Sequence, residues 1–175
     1  MNERRTPVDP KRLRHLLRRL LSIYSPSGKE EELIDYLAGY LKRRGLPAAR
    51  QEVAEGRANL IAAPGAAEPA MAFIGHVDTV HAFDLEDYGP RGDDDTITAL
   101  GAADMKGGCA AMVEAFLCLW TTSGGPGFPL ALALLVGEEE DGDGAVRLVR
   151  DHHFPWAVLG EATDLRPCLS HYGYL

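Results

Sequence analysis

The chain has 175 residues, 46% of them hydrophobic, enough to bury one good core, and it predicts a single domain over 1–175. A net charge of -8 argues against nucleic acid as a partner, since phosphate binding requires a basic face. No run reaches the ~18 apolar residues of a membrane span, and Arg and Lys interrupt every apolar stretch before residue 30, so neither a membrane segment nor a signal peptide is expected. Cys109, Cys118 and Cys168 lack metal spacing and read as reduced cysteines of a cytoplasmic protein.

Leu13, Leu16, Leu17, Leu20, Leu21 and Tyr24 recur at helical spacing and predict an amphipathic helix over 9–24, capped by Asp9 with Pro10 at its first position. Arg4, Arg5, Lys11, Arg12, Arg14, Arg18 and Arg19 fall mostly opposite that stripe, as on a solvated face. Ser25-Pro26-Ser27-Gly28 stops the helix. Ser27 and Glu30 then read as the capping box of a second helix, which turns Leu33, Ile34, Leu37, Tyr40 and Leu41 inward and ends at Gly45 and Pro47. Strands are expected at 51–53, 59–63 and 71–76. The third breaks at Gly75 and delivers His76 and Asp78 where a strand leaves a sheet. Taken alone, His-x-Asp reads first as a solvated histidine and a turn-forming aspartate at a polar strand end; the three acidic motifs downstream reverse that preference.

An acidic loop follows, with Asp84, Glu86, Asp87, Asp93, Asp94 and Asp95, and a small hairpin leading to 97–100. Gly101-Ala102-Ala103-Asp104-Met105-Lys106-Gly107-Gly108 opens a helix over 109–120, and Gly124-Gly125-Pro126-Gly127 is a loop. The run 130–136 is wholly apolar, like a buried parallel strand, and ends in Gly137-Glu138-Glu139-Glu140. A helix over 145–152, a strand over 156–159 ending in Gly160-Glu161, and a strand-like 168–175 complete the chain.

Helices alternating with apolar strands predict an α/β fold, a mainly parallel sheet flanked by helices. Parallel strands bring their carboxyl ends to one edge, so His76, Asp104, Glu138, Glu139 and Glu161 can converge there. One imidazole among carboxylates calls for a cation, because like charges in one pocket oppose ionisation. Nitrogen and oxygen donors without cysteine suit zinc, with cobalt or manganese as substitutes. Asp78 splays away from His76 along an extended chain and is placed to accept the second imidazole N–H. A calcium loop starting at Glu139 fails at its twelfth position, Arg150, and neither a P-loop nor a nucleophile elbow is present. His15, His81, His152 and His153 read as surface or loop histidines.

Gly75-His76-Val77-Asp78-Thr79-Val80, the Gly101–Gly108 segment, Gly137-Glu138-Glu139-Glu140 and Gly160-Glu161-Ala162-Thr163-Asp164 resemble, in order and spacing, four successive motifs of one family. It is the dinuclear zinc hydrolases that include acetylornithine deacetylase, succinyl-diaminopimelate desuccinylase, aminoacylase and carboxypeptidase G. The resemblance implies a zinc-peptidase-like catalytic domain holding two Zn2+, with Co2+ or Mn2+ as possible substitutes, and acting on an N-acyl amino acid or small peptide. It implies His76 on one zinc, Asp104 bridging both, Glu139 and Glu161 each on one, Glu138 as general base and Asp78 orienting His76. It also implies a cis Asp104-Met105 peptide.

Gly137 stands where the family usually has Asp, and Ala162 where Pro is commoner. The run of three glutamates leaves two registers: Glu138 with Glu139, which sets Gly144 at the family's distance, or Glu139 with Glu140. The family inserts a lid and dimerisation domain after a strand like 168–175, and a later segment supplies the last zinc-ligand histidine. His171, in the closing strand, is no substitute. The resemblance therefore implies that 1–175 is the N-terminal part of a catalytic domain whose parent is a homodimer through the lid. A non-catalytic remnant or metal-binding module, and a dizinc aminopeptidase, stand as alternatives.

Overall fold

The computed structural model describes residues 8–64, 68–93, 95–123 and 128–169. Helix α1 (Pro10–Ser22) starts where expected, with the Asp9 carboxylate accepting from the backbone N–H of Lys11 and Arg12 at 2.9 and 3.2 Å. Its Leu16, Leu20 and Leu21 are buried. Helix α2 (Glu31–Lys42) buries Leu33, Ile34, Leu37, Tyr40 and Leu41. The capping box expected before it is absent: no side chain caps α2, because Ser27 donates instead to Asp78 and Glu30 pairs with Arg57. A charge-assisted bond to a buried partner outcompetes a cap that water can replace. Arg12 likewise leaves the solvated face and pairs with Glu114, whose side chain is wholly buried in α3 (Gly107–Ser123).

Strands β1 (Ala49–Ala54), β2 (Arg57–Ala62), β3 (Met71–His76), β6 (Leu130–Leu135) and β7 (Trp156–Leu159) form one sheet in the order β1-β2-β6-β3-β7. The short β4 (Arg91–Gly92) and β5 (Ile97–Thr98) make the small hairpin of the acidic loop. β3 runs parallel to both β6 and β7, whereas β1 and β2 join antiparallel, so the sheet is mixed and its parallel half is the one that carries the motifs. Leu60, Leu132 and Leu134 face α1, α2 and α3, while the alternate residues Ile61, Ala133 and Leu135 meet Leu148 of α4 (Asp143–Asp151) on the other side. Each fully buried leucine here contributes about 2–3 kcal/mol, so the larger cluster dominates the stability. β7 lies at the sheet edge with Trp156, Val158 and Leu159 exposed. Cys168 and Leu169 are not in a strand, and the rest of the expected closing strand lies outside the described residues, as does the loop at 124–127. Among the described residues no helix is long and apolar enough to cross a membrane.

Asn59 pins the far end of this layer. It is fully buried on β2, donates to Gln51 Oε1 and the Gly144 carbonyl, both at 2.8 Å, and accepts from Val136 N–H at 3.1 Å. Those contacts bracket the segment that holds the three glutamates. Asn59→Ala strands Gln51 Oε1 and Val136 N–H, while the Gly144 carbonyl remains in the helical ladder of α4, at about 1–3 kcal/mol for each group stranded. We expect urea unfolding to show a loss of about 2–6 kcal/mol; a change under about 1 kcal/mol would argue that water replaces the amide.

Candidate metal centre

Four motif residues reach one edge of the sheet because β3, β6 and β7 are parallel neighbours. His76 ends β3 opposite Leu135 of β6, Glu138 and Glu139 follow β6, and Glu161 follows β7 by two residues. Asp104 arrives from a kinked turn over 102–106, in which Asp104 and Met105 leave helical dihedrals and their peptide bond is cis, as the resemblance implied. Lys106 ties this turn to the end of α1, its buried Nζ donating to the carbonyls of Ile23 at 2.9 Å and Leu20 at 3.2 Å. Burial pulls its ammonium down to about 8.

The imidazole of His76 forms the floor, with carboxylates around it. His76 Nε2 lies 3.1 Å from Asp104, 3.3 Å from Glu161 and 3.7 Å from Glu138, and the imidazole is 2% exposed while those carboxylates are open to solvent. One ligand atom each from His76, Asp104 and Glu161 fall within 4.8 Å of one another, which makes them a group able to hold a metal ion. Glu138 and Glu161 share a cavity of about 310 Å³ with His76, Met105 and Leu135. Glu139 is not in the compact group: its backbone N–H donates to Asp78 Oδ2 at 3.0 Å. Glu140 turns away toward the exposed His81, 3.8 Å distant.

Asp78 sits behind the ring, fully buried. The nearest acceptor for His76 Nδ1 is the Asp78 backbone carbonyl at 3.1 Å, with the carboxylate Oδ1 at 3.3 Å. Either contact keeps the proton on Nδ1 and leaves Nε2 facing the carboxylates. Gly137 departs from the family pattern for a local reason. Its φ is +73°, and a Cβ there would overlap Asp143 Oδ1 and lie 2.5 Å from Arg57 Nη2, because the Arg57–Asp143 ion pair fills that space. Arg57 also holds the buried Glu30 at 2.8 Å and so joins α2 to the glutamate loop.

Burial pulls the His76 imidazole down, but the Asp78, Glu138 and Glu161 carboxylates outweigh it and raise it to about 9. Burial raises Glu139 and Glu161, and the Asp104 charge adds to both. Burial likewise opposes ionisation of Asp78, but His76, Ser27 and the Glu139 N–H hold its carboxyl below the usual range. In chelator, a His76 pKa raised from 6.5 to about 9 gives stability that is full below pH 6.5 and lost as pH rises through 9. Lys106 works the other way, its penalty fading from pH 8 up to 10.5. We expect the urea midpoint of the metal-free protein to fall between pH 6.5 and 8, and His76→Asn to flatten that slope; an unchanged slope in the variant would remove His76 as its cause.

Residues 72–168 match the family described as peptidase family M20/M25/M40. The chain belongs to this family. Among M20 relatives, a probable carboxypeptidase of Aspergillus clavatus is 32% identical over 174 residues, covering 90% of this chain and 38% of the fungal protein. A probable succinyl-diaminopimelate desuccinylase of Staphylococcus epidermidis is 29% identical over 166 residues, covering 90% of this chain and 41% of its own length. The solved structure of a tripeptidase from Staphylococcus aureus superposes with a TM-score of 0.70 at 26% identity, covering 87% of this chain and 43% of that one. The chain thus spans about two fifths of the length of the M20 proteins it matches. M20 enzymes are metal-dependent hydrolases of amide bonds.

Sequence reasoning named His76, Asp78, Asp104, Glu138, Glu139 and Glu161 but passed over the residues that hold them. Asn59, Lys106 and Arg57 are single polar residues among apolar neighbours, a pattern that signals a satisfied interior group without naming its partner. Ser27 was visible only as a helix cap.

Proposed function

We propose that this chain carries the metal-holding part of a hydrolase that cleaves the amide bond of an N-acyl amino acid or small peptide. The observation behind the proposal is the buried His76 imidazole facing carboxylates that arrive from separate elements. In a chain of net charge -8, such a cluster is costly unless a cation neutralises it. The donor set of one nitrogen and several carboxylate oxygens, with Cys109 buried behind the site and its thiol raised to about 12 by burial, fits zinc, with cobalt or manganese as substitutes. His76, Asp104 and Glu161 would hold one ion; Asp104 and Glu139 would serve a second, its remaining ligand coming from elsewhere in the protein. Bound there, the ions would supply Lewis-acid polarisation of the scissile carbonyl and make water in the cavity more acidic.

The remaining work falls to side chains. Asp78 holds the Nδ1 proton of His76 and keeps Nε2 free. Glu138, at the cavity wall, takes the proton of the attacking water and returns it to the leaving amine. Glu140 lies against His81, which favours the register with Glu138 as base and Glu139 as ligand. We place the chain as the N-terminal part of a catalytic domain of a cytoplasmic, dimeric enzyme; its share of the M20 relatives' length agrees with its being part of a larger enzyme and bears on neither location nor dimerisation.

The test is hydrolysis of N-acetyl and N-succinyl amino acids beside unblocked peptides, by this chain and by a complete enzyme that contains it. We expect turnover only from the complete enzyme, because the second ion's remaining ligand would come from elsewhere in the protein and an incomplete ligand set loosens the metal. Robust turnover by residues 1–175 would overturn the placement, and a complete, metal-loaded enzyme inert toward every amide would overturn the activity.

A further inference from the structure

We infer that Ser27 is a positioning residue of this centre, gripping the Asp78 carboxylate that faces His76 Nδ1 at 3.3 Å; the inference rests on the metal-dependent reading above. The connector between α1 and α2 meets residues 77–79 at one isolated parallel bridge, Pro26 with Thr79. Thr79 N–H donates to the Ser25 carbonyl at 3.0 Å, Ser27 N–H donates to the Thr79 carbonyl at 3.2 Å, and Pro26 bridges Thr79 between them. Ser25 Oγ adds a bond to the Val77 carbonyl at 2.8 Å. The backbone just past His76 is therefore held by a segment 51 to 52 positions earlier in the chain.

On that rail, Ser27 Oγ donates to Asp78 Oδ2 at 2.6 Å, the short distance typical of a hydroxyl on a carboxylate. The same Oδ2 accepts Glu139 N–H, so two donors from two loops clamp one oxygen and leave Oδ1 turned toward His76 Nδ1. Remove the hydroxyl and the carboxylate keeps a single donor and can rotate about its terminal bond. Ser27 is 8% exposed, so water has little room to take its place. Because α2 has no side-chain cap, Ser27 serves no helix end, and its truncation removes this one function.

The experiment measures Co2+ affinity of the full chain by competition with a chromophoric chelator, together with the visible Co2+ spectrum. Loss of an outer partner of a metal-bound histidine weakens metal roughly 10–100-fold. We expect Asp78→Ala to fall in that range, Ser27→Ala to weaken Co2+ about tenfold, Ser27→Thr to restore it, and exposed Ser22→Ala to change nothing. Combined with Asp78→Ala, Ser27→Ala should cost nothing further, since it acts only through that carboxylate. If Ser27→Ala does not fold, Ser27→Cys, with a weak thiol donor in the same place, enters the cycle instead. Normal affinity in the Ser27 variant beside a weakened Asp78→Ala, or additive losses, overturns the inference alone. Undiminished Co2+ binding in Asp78→Ala overturns the role of Asp78 in the centre, and the inference with it.

Discussion

Glu138→Gln should lower the kcat of an enzyme carrying this chain by roughly a hundred- to ten-thousandfold and leave its metal content intact, whereas Glu139→Gln should deplete metal. The first amide can neither accept a proton from water nor return one to the amine, yet it keeps the size and hydrogen-bonding reach of the carboxylate. Glu138 lines the cavity beside Glu161, 3.7 Å from His76 Nε2. Glu139 feels the Asp104 charge, and its backbone is moored to Asp78, as suits a ligand held in register with His76. Steady-state kinetics with metal analysis of both variants decides the register. Metal loss from Glu138→Gln with turnover loss from Glu139→Gln at full occupancy would exchange the two roles.

Gly108→Ala, a change that ordinarily strengthens a helix, should here weaken the fold by about 1–3 kcal/mol and impair metal uptake. A Cβ on Gly108 would overlap the Gly160 carbonyl oxygen and approach its carbon to 2.9 Å, a backbone obstacle with no rotamer to yield. α3 and β7 must then separate, and Glu161 is the next residue after Gly160. The strain thus lands on one member of the metal group while His76 and Asp104 stay on β3 and the turn before α3. Thermal unfolding and Co2+ affinity measure the two effects. Unimpaired metal binding in a destabilised protein would show that Glu161 follows its own loop rather than the α3–β7 contact.

Much of this architecture was legible because it rests on local rules. Asp9-Pro10 set the start of α1, the apolar run at 130–136 pointed to the buried strand β6, and the strand at 156–159 ended at Gly160 as expected. The motif acids could be placed together because parallel strands share a carboxyl edge, a rule of topology that needs no coordinates. What stayed hidden was partner choice over long separations. Ser27 with Glu30 satisfied the capping pattern, yet the hydroxyl went to a residue 51 positions away and the carboxylate to Arg57. Arg12 looked solvated until Glu114 appeared beside it, 102 positions on. The antiparallel β1–β2 edge likewise depends on which strand sits next to β6, which hydrophobic periodicity does not encode.

Titration of this chain with Co2+, followed by visible absorption, puts the metal centre most directly to the test. If His76, Asp104 and Glu161 form one ion's site, bands of a nitrogen- and oxygen-ligated ion should grow and saturate, and His76→Ala should abolish them. A chain that develops no such bands, or that binds Co2+ equally well without His76, would contradict the claim that these residues are a metal centre.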